Sequence, residues 1–356
     1  MILSHIFVME ELFTFEKLNN AFYQCYKASH WKTSTQRYEA NLFLNNAKLL
    51  EELITGKYRV SPTNNFYIRE RGKERYIEAP VIRDRIVQKI LCQDVLIPQL
   101  RPKLIYDNYA SLENRGTTFA RKRIDILLRR FIRKHHTGYA LKIDIKKYFE
   151  SINHEILKDI IHKSVKASED VLKLINYIID KSSHSDKGLN LGSEAPQIFA
   201  IFYLSRLDNY IKSVKGIKYY GRYMDDMIIF SESKEELKQL LEEIKNQLSE
   251  LKLEINKNKT HIIKLSKGFT FMQIKYHIDN GKIVKRPTRS KITRERRRLK
   301  KYKNLYLKGK MTQHDIYNCY MSWRNALIKD CSCYRTIKTF DNIYESLWKG
   351  ENLCLQ

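Results

Sequence analysis

Hydrophobic and polar positions alternate regularly in the segment YALKIDI at residues 139–145. The apolar positions, which recur at every second residue, are Tyr139, Leu141, Ile143 and Ile145. A period of two predicts a strand, and it places Lys142 and Asp144 on the opposite face. Over residues 234–250 the apolar positions recur every three or four residues, which predicts an amphipathic helix.

The same patterns predict an order of elements along the chain. Helices are expected over 35–55, 84–97, 117–135, most of 153–181, 195–214 and 234–250. Two strands around a turn at Gly72 are expected over 64–79, and strand–turn–strand units over 219–230 and 251–265. This order indicates an α+β fold in which helices cover one face of an antiparallel sheet.

The large positive charge of the chain indicates a polyanionic partner. The 356-residue chain has 66 Lys and Arg against 40 Asp and Glu, a formal net charge of +26. Thirteen Lys and Arg and only one acid, Glu295, lie between residues 285 and 310. Nucleic acid or an anionic membrane surface fits so large an excess, although a generally basic protein remains the alternative.

Cysteine usage and hydropathy bear on where the protein works. The six cysteines lie at 25, 92, 319, 331, 333 and 354, without the paired spacing of a zinc site. We expect them to be reduced and the protein to be cytoplasmic. The longest apolar stretch, IFAIFYL at 198–204, is too short to cross a bilayer, and the N-terminus makes a poor signal peptide. No membrane partner is therefore expected.

Three carboxylates suggest the chemistry. Asp225 and Asp226 interrupt the apolar run YYGRYMDDMIIF, and Asp144 ends the strand at 139–145. If the strands are neighbours, the three acids converge, and without counter-ions they could not all stay ionised. Two Mg²⁺ ions would resolve this, because magnesium prefers hard oxygen ligands and substrate phosphates. The alternative is a turn that exposes two acids to solvent.

The segments around these acids resemble the motifs of a bacterial reverse transcriptase, in the family's order. The fingers motif resembles NFYIRERGKERYIEAP, and the following segment resembles NYASLENRGTTFA. Palm motifs resemble KIDIKKYFESINH, LNLGSEAPQIFAIFYL, GRYMDDMIIF and LEINKNKT, and the primer-grip region resembles KGFTFMQIKY. The resemblance covers about residues 60–280 well and the basic C-terminal part loosely.

The resemblance implies a right-hand polymerase with fingers, an antiparallel-sheet palm and a basic helical thumb. We expect an N-terminal helical extension over 1–60, fingers over 61–138, palm over 139–284 and thumb over 285–356. The palm would include finger-side helices at 153–190.

It also implies roles for individual residues. Asp144 and Asp225 would be the principal ligands of two Mg²⁺ ions, for which Mn²⁺ can substitute. Asp226 would support them, and the backbone carbonyl of Ile145 would complete the metal site. Phe149 would exclude ribonucleotides through contact with the sugar, although a core aromatic is the alternative. Lys259 would lie near the leaving pyrophosphate, with an exposed turn lysine as the alternative.

The remaining implied contacts concern nucleotide and nucleic acid. Deoxynucleotide (dNTP) binding would involve Arg75, Lys73, Arg69, Leu191 and Gln197, besides Phe149 and Lys259. Template–primer backbone would be followed by Arg289, Lys291, Arg294, Arg297, Arg298 and Lys301. The implied partners are dNTPs, an RNA template with its primer or an associated non-coding RNA, and an accessory protein or a second copy of the chain.

Departures from the family pattern leave the biological setting open. Leu191 replaces a common Gln, Pro196 replaces Ser, and Gln273 replaces Gly. An aliphatic residue at 191 also occurs in the error-prone enzymes of diversity-generating retroelements. Pro196 and Gln273 favour an antiphage defence enzyme instead. We find no signature of RNase H, protease, integrase or zinc-binding endonuclease, so independent mobility is not expected.

Two other functions remain as alternatives. A nonpolymerising RNA-binding protein would be expected to have lost its carboxylates, and all three are present. An untemplated nucleotidyl transferase would use the same site.

Overall fold

The computed structural model describes residues 7–70 and 72–348, and it does not describe the side chains of Glu70 and Lys73. The chain divides into two compact units. Unit 1 contains Met1–Gly116, Ile143–Ile228 and Gln239–Thr260, and unit 2 contains Thr117–Lys142, Ile229–Lys238 and His261–Gln356.

Sixteen α-helices lie in the described residues. They are α1 Met9–Leu12, α2 Phe15–Tyr26, α3 Thr33–Ala40, α4 Leu42–Ile54, α5 Ile82–Ile90, α6 Ile97–Leu100, α7 Thr117–His135, α8 Tyr148–Ser151, α9 His154–His162, α10 Glu169–Asp180, α11 Glu194–Tyr203, α12 Ser205–Asn209, α13 Lys234–Glu250, α14 Arg289–Leu307, α15 Gln313–Asp330 and α16 Tyr334–Ser346. Leu91–Leu96 and Tyr210–Val214 form π-helical segments, and Arg101–Lys103 forms a 3₁₀ turn.

Nine strands form three sheets within the described residues. The strands are β1 Asn64–Glu70, β2 Lys73–Ala79, β3 Tyr139–Ile143, β4 Tyr220–Tyr223, β5 Asp226–Ser231, β6 His261–Lys264, β7 Phe269–Phe271, β8 Ile274–Asp279 and β9 Lys282–Pro287. The sheet orders are β1-β2, β4-β5-β3-β6 and β7-β8-β9. Antiparallel pairing joins β1 to β2, β3 to β6, and β8 to both β7 and β9. The predicted α+β class is confirmed.

Helix predictions were correct where the apolar stripe is uninterrupted. Helices α7 and α13 have the predicted bounds. The predicted helix at 35–55 is two helices, because Asn41 leaves the helical region at φ −125° and ψ 39°. Asn is poor in a helix interior because its amide competes for nearby backbone groups. The predicted helix at 195–214 is likewise divided at Leu204.

One strand prediction is wrong. Residues 251–260 form turns rather than a strand, and Ile255 makes only an isolated bridge to Ile145. The N–H groups of Lys259 and Thr260 both donate to the carbonyl of Asn256. Asn favours such turns, and the alternating pattern of LKLEIN did not show that the backbone turns immediately afterwards.

Each unit has its own apolar core. In unit 1, helix α11 is buried along almost its whole length, and its contacts include α5 and the Leu91–Leu96 segment. In unit 2, the rings of Phe131, Phe230, Phe269 and Tyr276 pack in succession with centroids 5.2–6.1 Å apart. Burial of aromatic rings contributes strongly to core stability. Within 7–70 and 72–348, no helix combines the length and apolar character needed to cross a membrane.

Candidate active site

Strand β4 is held by the segment 107–109. The Arg222 N–H donates to the Asp107 carbonyl at 2.9 Å, and the Tyr109 N–H donates to the Arg222 carbonyl at 2.8 Å. The hydroxyl of Tyr109 lies so close to Gly221 that an added Cβ would be 1.9 Å from it. Only glycine fits there, so this crossing determines the position of β4.

A two-residue turn, Met224 and Asp225, joins β4 to β5. Met224 has a left-handed backbone with φ 53°, which is unusual for a residue other than glycine. The Arg222 guanidinium donates from Nη1 to the Met224 carbonyl at 2.8 Å. Asp225 therefore occupies the turn, and Asp226 is the first residue of β5.

Asp144 directly follows β3, and the turn segment at 253–260 lies against it. The Asn256 N–H donates to the Asp144 carbonyl at 2.7 Å, and the Lys146 N–H donates to the Glu254 carbonyl at 2.8 Å. These contacts bring the Lys259 ammonium to 2.7 Å from Asp144 Oδ2. Asp144 is 6% exposed. A buried carboxylate is thus paired with Lys259, which the resemblance implies to lie near the leaving pyrophosphate.

The three acids interact electrostatically. The pKa of Asp225 is raised to about 6, first by burial and then by the charges of Asp226 and Asp144, while Lys259 lowers it. The sheet order explains this proximity, because the strand leading to Asp144 neighbours the strand that begins at Asp226. Asp225 therefore lies within electrostatic range of both Asp226 and Asp144, and the convergence of all three carboxylates on one metal site stays a prediction.

Hard oxygen donors of this kind fit a divalent cation. Among the residues that the structure describes, no group of three or more His, Cys, Asp or Glu side chains is arranged so that it could hold a metal ion. Magnesium is usually bound by one or two carboxylates plus substrate phosphates rather than by a complete protein cage. Asp144 and Asp225 can supply those carboxylates, and a cation would relieve the repulsion that, after burial, raises the pKa of Asp225.

Phe149 follows Asp144 closely on the short helix α8. Its ring is half-buried and meets Tyr148 edge-on at 5.8 Å. The Leu189 N–H donates to the Phe149 carbonyl at 2.7 Å, which joins α8 to the loop carrying Leu191. Ile145, the predicted carbonyl ligand, is 1% exposed as a residue.

That loop also meets the β1–β2 hairpin. The Glu78 N–H donates to the Leu191 carbonyl at 3.2 Å, and an added Cβ on Gly192 would be 3.0 Å from the Ile77 side chain. Because strand residues alternate in direction, Arg75 shares the face of Ile77. The hairpin therefore directs exposed Arg75 to the side on which the loop lies.

The other predicted nucleotide contacts are placed differently. Arg69 pairs with Glu74 in the register, so it lies on the opposite face from Arg75. Lys73 begins β2, and its side chain lies outside the described part of the chain. Gln197 is exposed on α11, where its Oε1 accepts a hydrogen bond from Ser111 at 3.2 Å.

The six predicted nucleic-acid contacts lie on or at the start of α14 in unit 2, but they are not equivalent. Arg289, Arg294, Arg297 and Lys301 are exposed. Arg298 instead donates to Glu295 at 3.1 Å and to the Tyr302 hydroxyl at 2.6 Å. Lys291 is half-buried, and burial followed by repulsion from Arg121 lowers its pKa.

Sequence reasoning missed the residues beneath the turn. Arg222 is 0% exposed and is paired with Asp208, which is also 0% exposed. The available signal was an arginine within the apolar run YYGRYMDD, since a buried cation requires a partner.

Comparison with known proteins places this chain in a family. The model of the family "Reverse transcriptase (RNA-dependent DNA polymerase)" matches residues 63–291. A search of curated proteins finds no match.

Among solved structures, the chain is similar to telomerases from Candida. A truncated apo telomerase from Candida tropicalis has 17% identity and a TM-score of 0.47, with 64% of this chain and 56% of that chain covered. Telomerase from Candida albicans with a fragment of telomeric RNA has 13% identity and a TM-score of 0.49, covering 82% and 56%. The C. tropicalis telomerase with such a fragment has 15% identity and a TM-score of 0.47, covering 87% and 59%.

The chain thus spans little more than half the length of these telomerases. The family match covers more than half of the 356 residues, including all three carboxylates. The chain therefore belongs to the reverse transcriptase family of RNA-dependent DNA polymerases, which are nucleotidyltransferases.

Proposed function

We propose that this protein is a magnesium-dependent DNA polymerase that adds dNTPs to a 3′-hydroxyl, copying an RNA template. The observation that carries the proposal is the meeting of Asp144, Asp225 and Asp226 with Lys259 in unit 1. Family membership supports the class of reaction.

Asp144 and Asp225 would hold two Mg²⁺ ions, with Asp226 in support and the Ile145 carbonyl completing the site. When bound, such ions acidify the attacking 3′-hydroxyl and stabilise the leaving pyrophosphate. The carboxylates are kept in position by the turn at 224–225 and by the backbone contacts of Asp144 with Asn256. Burial of Asp144 excludes water from that carboxylate, which strengthens its interaction with a cation.

The lysine and arginine would act on the triphosphate. Lys259, held against Asp144, can donate a proton or a hydrogen bond to the leaving pyrophosphate once a cation takes its place on that carboxylate. Arg75 carries a planar fork of donors suited to phosphate, and it is exposed on the hairpin. The Leu191 carbonyl accepts a hydrogen bond from the Glu78 N–H, which keeps the loop against the hairpin that carries Arg75. Arg69, Lys73 and Gln197 stay predicted contacts.

Phe149 would select deoxynucleotides by occupying the space of a 2′-hydroxyl. A Phe149→Ala variant is expected to incorporate ribonucleotides at least about tenfold better relative to deoxynucleotides, because the steric barrier is removed. Competition between dATP and ATP in single-nucleotide extension measures this. Tyr148→Phe is the neighbouring control, and unchanged discrimination in F149A would remove Phe149 from the role.

The decisive experiment is primer extension by the purified protein. RNA template, DNA primer, dNTPs and Mg²⁺ or Mn²⁺ are supplied, and extended DNA is the expected product. The Asp225→Asn variant should make none, whereas Asp159→Asn, an exposed acid on α9, should behave as wild type. Absence of product across templates, primers and both metals would contradict the proposal, and product without any template would favour untemplated transfer.

The proposal extends to a biological setting. We infer a bacterial, cytoplasmic enzyme of antiphage defence that copies an associated non-coding RNA, with an accessory protein or a second copy as partner. Pro196 and Gln273 support this setting over a diversity-generating retroelement. Sequencing the nucleic acid that copurifies with the protein tests it. A discrete non-coding RNA and its DNA copy are expected, while mutagenised copies of a template repeat would favour the retroelement.

A further inference from the structure

The turn that carries Asp225 rests on one buried guanidinium. Arg222 donates from Nε to Asp208 Oδ1 at 2.8 Å and from Nη2 to the other oxygen of the same carboxylate. It also donates from Nη1 to the Met224 carbonyl and from Nη2 to the Ile201 carbonyl, both at 2.8 Å. All three guanidinium nitrogens therefore have acceptors on three separate parts of unit 1.

The Asp208 carboxylate and the backbone of Arg222 are also held in place. The Tyr220 hydroxyl donates to Asp208 Oδ1 at 2.6 Å, so the carboxylate is held by two residues of β4. The backbone of Arg222 is held by 107–109 on one side, and Gly221 is covered by Tyr109. The Cα of Arg222 thus has little freedom, and its side chain transmits that position to the turn.

A buried ion pair does not by itself explain these contacts. Replacing such a pair by apolar residues of similar volume often leaves stability unchanged or raises it. The bonds to the Met224 and Ile201 carbonyls are additional, and the first of them holds a residue in the left-handed region. Non-glycine residues keep such a conformation only when their surroundings determine it.

We propose that Arg222 is a positioning residue that holds the Met224–Asp225 turn in the conformation that presents Asp225 to a divalent cation. This inference rests on the proposed function. Arg222 is 0% exposed, so it is not available to contact a substrate, and it acts through the Met224 carbonyl. Asp208 and Tyr220 set the orientation of the guanidinium, so they belong to the same arrangement.

Arg222→Lys tests the inference, because an ammonium keeps the charge opposite Asp208 but lacks the planar fork that reaches all three acceptors. In primer extension, kcat should fall about 10²-fold, as expected for a misplaced reacting group, while KM for template–primer stays within about threefold. The Mn²⁺ concentration for half-maximal activity should rise severalfold.

Two measurements do not depend on activity. Hydrogen exchange by mass spectrometry should show faster exchange at 223–226 in R222K, with α13 unchanged. Calorimetric titration of the nucleic-acid-free protein with Mn²⁺ should show weaker binding. The matched control is Tyr58→Phe, which removes the buried bond from Tyr58 to Asp84 elsewhere in unit 1 and should change neither quantity.

A second pair of variants keeps the test decisive if R222K does not fold. R222Q/D208N removes both charges together, so no buried charge is left alone, and Gln is too short to reach the Met224 carbonyl. It should show the same faster exchange at 223–226. Adding Met224→Asn to R222K should restore part of the protection, because Asn tolerates the left-handed region.

Unchanged exchange at 223–226 in both R222K and R222Q/D208N would overturn the inference. Equal losses in R222K and Y58F would also overturn it, since they would show a general effect on stability. A wild-type protein that makes no DNA would contradict the proposed function alone, and the exchange experiment would still decide the role of Arg222.

Discussion

The carboxylate site of unit 1 and the basic helix α14 of unit 2 both concentrate like charges, but their surroundings differ. Asp144 is buried and Asp225 is half-buried, and burial followed by the charges of neighbouring acids raises the pKa of Asp225. On α14, Arg294, Arg297 and Lys301 follow one another at helical spacing and are exposed to solvent. One region keeps its charges rigid and close, and the other keeps them hydrated.

This difference predicts that substitutions in the two regions change free energies in different ways. In the carboxylate site, each contact depends on position, so a small displacement removes the effect of the whole group. On the exposed helix each cation would contribute a similar, salt-dependent amount to binding a polyanion, largely independent of its neighbours. The first region should respond to single substitutions, and the second should respond in proportion to the number of charges removed.

The largest expected effect is loss of catalysis at the carboxylates. Asp225→Asn or Asp144→Asn should lower the primer-extension rate by roughly 10³-fold or more, since each removes the charge of a carboxylate that we propose as a cation ligand. Single-turnover extension measures the rate. Retention of more than a tenth of the wild-type rate in either variant would break the contrast between the two regions.

Asp225→Asn should also stabilise the metal-free protein against unfolding. The pKa of Asp225 is raised from 3.8 to about 6 in the folded state, so the ionised carboxylate costs up to about 3 kcal/mol at pH 7. The cost grows as pH rises from about 4 to 6 and vanishes below pH 4, where both states are protonated.

Urea unfolding in EDTA measures the free-energy cost of the ionised Asp225 carboxylate. D225N should raise the free energy of unfolding at pH 7 and leave it nearly unchanged at pH 4. An equal change at both pH values would show that the charge of Asp225 is not the cause.

On α14 the effect should scale with charge. Replacing Arg294, Arg297 and Lys301 together by Ala should weaken template–primer binding about 10- to 100-fold at moderate salt and reduce the slope of log K against log salt by about 2–3. Fluorescence anisotropy over a salt series measures both. A control with exposed Lys163, Lys173 and Lys252 replaced has the same net charge and should retain the slope.

The smallest effect separates neighbours on the same helix. Arg298→Ala leaves Glu295, which is 2% exposed, without its guanidinium partner, so it should lower the free energy of unfolding by about 1–3 kcal/mol. Arg297→Ala should leave stability within about 0.5 kcal/mol and weaken binding slightly. Thermal unfolding measures the stability of both variants, and anisotropy measures their binding of template–primer. A stability loss in Arg297→Ala with none in Arg298→Ala would contradict the prediction.

Much of the fold could be predicted from the sequence where one face of an element is continuously apolar. Helices α7 and α13, the β1–β2 hairpin and the β4–β5 hairpin all fall where their patterns place them. The segment at 251–260 could not, because its alternating residues lie in turns that are held by contacts with Asp144 and Lys146. Such contacts connect residues more than a hundred positions apart, and no local pattern records them.

For the site, the sequence by itself determined the prediction of which residues carry the chemistry, and it grouped Asp144, Asp225 and Asp226 in one site. Residue types and motif order are sufficient for that, because carboxylates in apolar strands require a counter-charge. Only the tertiary structure decided that Lys259 pairs with Asp144, that Arg69 and Arg75 lie on opposite faces, and that Arg222 holds the turn beneath Asp225. These facts depend on directions in space, which packing determines and linear spacing does not encode.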